Sequence, residues 1–319
     1  MKIWKSRLWI GIAALLVFAG ILGVRWNRED GTPFDNQVRF LRKLAVLNDP
    51  ELASVLDQSI VFIPAGNFVR GSNMGNINED PEQLVYLDAF TIDRYEVTNI
   101  QYSRFVSATG RKAPWYWIEG TYPNGQADYP IVGISWKDAN EYCAWMGRRL
   151  PTEAEWEKAC RGTEGNIYPW GNQWDPQNAN TDFRTGPLSQ PEEAGSPTAW
   201  AYAWERLRST PGADDLGLRP VGSYPTGASF YGVMDLAGNA SEWVFDWYNW
   251  GDYAGMPAEN PVNLEPPWNH CVRGSAWHDP AGDIDQAWSW SRCSARSSAH
   301  SVADPRIGFR CVQSMPDQE

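Results

Sequence analysis

At 319 residues, with 43% hydrophobic content and a formal charge of −12, the chain is long enough for one large domain or two small ones, with ample material for a core. No basic stripe accompanies the acidic balance (pI ≈ 4.8), which argues against a nucleic-acid partner and suits a solvated acidic surface. Nineteen tryptophans fit a loop-rich domain in which large rings fill gaps that regular elements leave.

Lys2, Lys5 and Arg7 precede an uncharged run over 8–24, closed by Arg25 and Arg28. As a helix that run spans about 25 Å, near the lower limit for a bilayer. It exceeds a usual signal-peptide core, no small-x-small site follows it, and no cysteine ends it. These features favour a retained transmembrane anchor over 8–25 above a cleaved signal peptide. A basic cytoplasmic segment then occupies 1–7, and the bulk of the chain is periplasmic or otherwise extracytoplasmic. A helical stalk is expected over 26–59. Val38, Leu41, Leu44 and Ala45 recur at helical spacing, and Asp49-Pro50 reads as the N-cap and first position of a second helix bearing Leu52, Val55 and Leu56.

Alternation over 60–71 (IVFIPAGNFVRG) predicts two strands around a turn at Ala65-Gly66, and 87–97 (LDAFTIDRYEV) predicts another. Thr98 and Gln101 form a capping box that opens a helix running towards Gly110. Ser135 and Asp138 open a second helix, with Ala139, Tyr142, Cys143 and Met146 inward and Gly147 as its stop. Thr152 and Glu155 open a third that ends at Gly162. Glu153, Glu155 and Glu157 stand in or near its first turn, where acids ordinarily serve the helix dipole. The Pro/Gly-rich stretch 181–217 and the Trp/Tyr/Pro-rich stretch 247–268 are either self-packed loops or a binding surface. The chain has no glycine-rich phosphate loop, no Ser/His/Asp phrase, and no HExxH or CxxC.

The C-terminal part carries R-G-S-A-W at 273–277, R-C-S-A-R at 292–296 and I-G-F-R-C-V at 307–312. Further upstream stand RLPTEAEWE at 149–157, YPWGNQWDPQNAN at 168–180 and YGVMDLAGNASEW at 231–243. As a set these resemble the formylglycine-generating enzyme (sulfatase-modifying factor) family, over about 60–313, with 314–319 left as a tail. The resemblance implies an α+β fold: a single C-type-lectin-like core with little regular secondary structure.

In active members of that family, two cysteines between the first two C-terminal markers bind copper(I) and oxidise a sulfatase cysteine to formylglycine. Here the interval holds none. The first position falls on His278, and an insertion leaves the second near Asp283 or Trp288. The implied site around Ser275, Trp277, His278 and Asp283 is therefore degenerate, and copper is not expected, since thiolate ligation is what selects copper(I). His278-Asp279 with His270 or His300 shows no ligand spacing. The resemblance further implies disulfides Cys143–Cys311 and Cys160–Cys293, with Cys271 left as a buried thiol; from sequence alone the four could pair in three ways.

It also implies a structural calcium ion held by Asp235, Glu242 and the carbonyls of Gly238 and Ala240. A second calcium would use Asn180, Thr181 and an acid near Asp214 or Asp215. Arg292, Arg296, Arg306 and Arg310 are expected to pair with acids inside the domain. Asn239-Ala240-Ser241 matches a glycosylation sequon, but a tight turn there disfavours modification.

Three function classes follow. The favoured one is a non-catalytic binding or structural domain, held at the membrane by its N-terminal helix as an accessory subunit of a membrane protein complex. The alternatives are a divergent metal-dependent oxidase of the same family and a glycan- or peptide-binding module. The H-x₃-H-x-E phrase of the iron-dependent sulfoxide synthases in that family is missing.

Overall fold

The computed structural model describes residues 59–181, 217–249, 253–265, 269–277 and 287–315, with the backbone alone at 287–288. The expected anchor, the stalk helices, most of the 181–217 stretch and the end of the tail lie outside those residues. Among the described residues no helix is long and apolar enough to cross a membrane.

Apolar alternation builds the first four strands: β1 (Ile60–Ile63), β2 (Gly66–Arg70), β3 (Gln83–Leu87) and β4 (Phe90–Asp93). In β1, Val61 and Ile63 turn inward and Phe62 outward; in β4, Phe90 and Ile92 turn inward. The final strand, β9 (Val312–Ser314), joins them in an antiparallel sheet of order β1-β4-β9, with Ile63 opposite Phe90 and Ile92 opposite Val312. β2 and β3 form a separate antiparallel pair. The strand expected over 87–97 is shorter than its pattern. It leaves the ladder after Asp93, whose carboxylate accepts from the Cys311 amide. Glu96 then turns away to the amide of Ala240.

Three helices follow their caps. α1 (Asn99–Thr109) starts where the Thr98 amide donates to Gln101 Oε1 at 2.9 Å and ends at Gly110 in the left-handed region (φ 68°). α2 (Trp136–Trp145) has Ser135 Oγ accepting from the Asp138 amide. α3 (Glu153–Arg161) is closed reciprocally by Thr152 and Glu155.

α3 departs from the expectation in one respect: every one of its residues is buried. Only Glu155 serves the first turn, accepting from the Thr152 amide and pairing with Arg149. Glu153 and Glu157 are instead the anions of an internal charge network. Glu153 takes Arg70 at 3.0 Å and Arg296 at 2.6 Å. Glu157 takes Arg273 at 2.7 Å and Arg161 at 3.0 Å. A helix with no solvent-facing side can hold charge only where partners meet it, and its Lys158 is likewise met, by the Pro64 and Gly66 carbonyls at 2.8 and 2.9 Å.

The remaining strands, β5 (Ser241–Trp247), β6 (Asn269–Arg273), β7 (Arg296–His300) and β8 (Ile307–Gly308), make a mixed sheet of order β7-β6-β5-β8, antiparallel except for β5 with β8. A short helix, α4 (Ala287–Trp290), precedes β7. Two apolar cores fill the space between elements. One gathers Tyr102, Phe105, Tyr142, Trp243, Trp277 and Phe309; the other gathers Phe68, Phe90, Trp156, Leu236 and Val244. Each core contains one disulfide, Cys143–Cys311 in the first and Cys160–Cys293 in the second, which are the pairs the resemblance implies.

Candidate functional site

The turn before β5 is bent sharply inward. Asp235 (φ 60°), Gly238 (φ 85°) and Asn239 (φ 64°) all adopt left-handed backbone. At 238 only glycine fits, since a Cβ there would stand 2.5 Å from the Asn180 carbonyl oxygen. That approach clamps two segments the sequence offered as separate calcium sites. The Asn239 amide donates to the Asn180 carbonyl at 3.0 Å, and Asn180 Nδ2 donates to Asn239 Oδ1 and to the Gly217 carbonyl. Thr181 is buried beside it, while Asp214 and Asp215 lie outside the described residues. Asn239 of the sequon is also buried.

Three carboxylates converge on this turn. Glu242 is forked by Arg310 through Nε and Nη2, both at 2.7 Å, and accepts from Trp156 Nε1 at 2.9 Å. Asp235 accepts from the Gly222 amide at 2.7 Å; burial pushes its carboxyl up to about 6. The third is Glu96, accepting from the Ala240 amide and from Asn239 Nδ2, both at 2.9 Å. Burial, then repulsion from Asp235 and Glu242, raises it well above the carboxylate range. Sequence reasoning missed Glu96 because it stands in an apolar strand phrase; an acid there, just ahead of a capping box, was the available signal.

Of the three carboxylates, Glu242 is the one in a salt bridge with Arg310. Among the described residues no three His, Cys, Asp or Glu side chains could hold a metal ion by themselves, so an ion would also need the Gly238 and Ala240 carbonyls. Such oxygens are the hard donors calcium takes, but both Glu242 oxygens already accept from Arg310 and Trp156.

The segment matching the family's active site begins on β6. Ser275 Oγ accepts from the Gly238 amide at 2.9 Å and shares a 2.8 Å hydrogen bond with Ser291 Oγ. Trp277 is buried in the first core, and its amide donates to the Asn239 carbonyl. Ser275 and Trp277 thus brace the acidic turn. His278, Asp279 and Asp283 lie outside the described residues, as does the side chain of Trp288.

The other two histidines do not come together as ligands. His270 is stacked between Trp136 and Trp247, each 3.8 Å from its ring, and burial pushes it down to about 4. His300 is exposed at the end of β7. The four arginines expected to pair with acids do so: Arg292 with Glu79, Arg296 with Glu153, Arg306 with Asp304, and Arg310 with Glu242.

All five cysteines are accounted for. Four are bridged, and Cys271 is buried with its Sγ 2.9 Å from Glu153 Oε1. Burial first, then the Glu153 charge, pushes that thiol well above its usual range, so it is not a reactive thiolate. Beside the former site a cavity of about 180 Å³ opens on the mixed sheet, lined by residues of β5 to β8 together with Trp290 and Arg306.

Little regular structure, short sheets, paired disulfides and an acid-rich turn ahead of β5 define a formylglycine-generating-enzyme-like α+β domain. The chain belongs to the family of the sulfatase-modifying factor enzyme 1-like domain, whose model matches residues 48–315. It is 29% identical to the formylglycine-generating enzyme of Bos taurus, over 79% of this chain and 74% of that one. It is also 29% identical to the inactive C-alpha-formylglycine-generating enzyme 2 of Mus musculus, over 83% of this chain and 88% of that one. Among solved structures, PvdO from Pseudomonas aeruginosa superposes with a TM-score of 0.57 at 25% identity, covering 80% of this chain and 94% of that one.

Proposed function

We propose that this chain is a non-catalytic member of its family: a membrane-anchored, extracytoplasmic domain that binds a partner as an accessory subunit of a membrane protein complex. The observation that carries the reading is the fate of the cysteines. Copper(I) oxidation of a cysteine substrate needs an accessible thiol pair, and this chain has two buried disulfides and one buried, protonated thiol. The inactive mouse relative, matched over 88% of its length, is consistent with it. Anchoring rests on the basic-flanked apolar run over 8–24, and the extracytoplasmic side on the disulfides.

Gentle detergent extraction from native membranes, followed by size analysis, tests this. Co-migration with a defined larger assembly supports the accessory role, and migration as a lone chain removes it. A cysteine-containing sulfatase peptide incubated with the protein, copper(I) and oxygen should yield no aldehyde; turnover would overturn the non-catalytic reading.

Calcium belongs to the same proposal, as a structural ion at Asp235, Gly238, Ala240 and Glu242, with Glu96 as a further donor. A second ion at Asn180 and Thr181 has less behind it, because the acid expected to complete it, Asp214 or Asp215, lies outside the described residues. Binding at about a hundred times the dissociation constant stabilises by about 2.7 kcal/mol, equivalent to roughly 5–10 °C in a domain of this size. Chelated protein should therefore melt lower and recover on adding calcium, and Asp235→Ala, which removes the side-chain oxygen, should abolish most of the response. A calcium-independent melting curve would remove the ion.

A further inference from the structure

We propose that Asn124 is a site of spontaneous covalent modification: in the folded chain the Gly125 backbone nitrogen attacks its side-chain amide, and the residue becomes aspartate or isoaspartate. The sequence holds one Asn-Gly pair, at 124–125, and the fold leaves that pair open where the reaction needs it open.

Both residues are exposed. They are the central pair of a turn closed by the Gln126 amide, which donates to the Pro123 carbonyl at 3.1 Å. Of the two, only Gly125 takes left-handed backbone (φ 79°), the pattern of a type II turn. Among the described residues, the peptide unit joining them makes no hydrogen bond at its N–H or its carbonyl, and neither does the Asn124 side chain. That unit can therefore rotate inside the turn without breaking a bond, and glycine accepts the backbone angles on either side of the rotation. A Cβ at 125 would meet nothing within 4 Å, so nothing crowds the attacking nitrogen.

Asn239-Ala240 is the contrasting case. Its second residue is also small, but Asn239 is buried, and the Ala240 amide and Asn239 Nδ2 both donate to Glu96 at 2.9 Å. There the nitrogen that would attack and the amide that would leave are both held.

The reaction consumes only water. The Gly125 nitrogen gives up its proton and bonds to Asn124 Cγ. The Cγ–Nδ2 bond breaks, and Nδ2 takes a proton through water and leaves as ammonia. Water then opens the cyclic imide. Addition at Cγ restores the ordinary backbone with aspartate; addition at the backbone carbonyl carbon gives isoaspartate. Nothing is oxidised or reduced.

The isoaspartyl product runs the backbone through Cβ and Cγ, which adds one atom and a negative charge inside the turn. Just beyond it, the same stretch holds the start of α1. Asn99 Nδ2 donates to the Gln126 carbonyl at 2.9 Å, and the Asn99 and Ile100 amides donate to the Tyr129 and Ala127 carbonyls at 2.9 and 3.0 Å.

The test ages the purified full chain in detergent, at neutral and at mildly alkaline pH, and follows tryptic peptide 113–137, whose one asparagine is Asn124. The peptide should gain about 1 Da as NH2 gives way to OH. Because the deprotonated nitrogen attacks, the gain should come about tenfold faster for each pH unit. Electron-transfer fragmentation and labelling by an isoaspartyl methyltransferase should find isoaspartate beside aspartate. The folded chain should react within about tenfold of the rate of the chain unfolded in urea, while Asn239 stays an amide. Asn124→Gln, whose longer side chain closes the ring far more slowly, should keep its mass. An unchanged mass in the folded chain, aspartate without isoaspartate, a gain that persists in Asn124→Gln, or equal conversion at Asn239 would overturn the proposal.

Discussion

Replacing Glu153 with Gln should destabilise the domain by about 3–5 kcal/mol, the usual cost of removing one partner from a buried ion pair. Against a total stability of roughly 5–15 kcal/mol, that is a large fraction of what keeps the domain folded. The reason is the number of cations that depend on this one carboxylate. Arg70 donates to Oε2 at 3.0 Å, and Arg296 donates to both oxygens, at 2.6 and 3.1 Å; Arg273 stands 3.5 Å from Oε1. All three guanidiniums are buried. Burial pushes the Glu153 carboxyl up, but Arg296, Arg273 and Arg70 together pull it well below the carboxylate range.

With a neutral amide at 153, Glu157 and Asp246 are the carboxylates left beside Arg70 among the described residues, and burial still pushes the Asp246 carboxyl up. Glu155→Gln on the same helix is the control. Its pair with Arg149 is partly exposed, a glutamine can still close the capping box, and the expected cost is about 1 kcal/mol or less. Urea midpoints of the two variants would decide. If Glu153→Gln proved no worse than Glu155→Gln, the charge network would not be what holds α3 in the interior.

What was legible in the sequence follows the range of each interaction. The helix starts at Thr98, Ser135 and Thr152 could be read because a cap and its partner lie three residues apart, and the ends at Gly110 and Gly162 because glycine alone relieves the terminal turn. The disulfide pairing came through the family resemblance; three pairings were otherwise open. The charge network could not be read: Glu153 meets Arg70 across 83 residues and Arg296 across 143, and nothing local distinguishes it from an acid placed for the helix dipole. Glu96 was hidden for the same reason, since its partners Asn239 and Ala240 are 143 and 144 residues away. The acidic turn itself was legible from Asp235 and Glu242, although the fork of Arg310 onto Glu242 was not. The cavity on the mixed sheet had no signature at all, because its wall is assembled from residues scattered between Ser241 and Ile307.

The two disulfides should be unequal, and in the order opposite to their loop lengths. Chain entropy assigns each about 5 kcal/mol and favours the 168-residue separation of Cys143–Cys311 over the 133-residue separation of Cys160–Cys293 by only about 0.2 kcal/mol. The local structure outweighs so small a difference. Cys311 stays held without its bridge: its amide donates to Asp93 Oδ2 and its carbonyl accepts from Arg148 Nη2, each at 2.9 Å, and β9 continues from it.

Cys293 has a different duty. Its carbonyl and those of Ser294 and Ala295 accept from the buried Arg273 guanidinium at 2.6, 3.1 and 2.9 Å. Releasing that turn would leave Arg273 with its acids but without its carbonyls. It would also loosen the start of β7, which carries Ser297 and Ser298 into the cavity wall. The double variant Cys160→Ala/Cys293→Ala should therefore unfold at lower urea than Cys143→Ala/Cys311→Ala, by more than 1 kcal/mol if even one charge-assisted hydrogen bond is lost. Equal midpoints would mean that the chain-entropy term alone governs both bridges. A lower midpoint for Cys143→Ala/Cys311→Ala would mean that the first core, not the charge network, is where the domain opens.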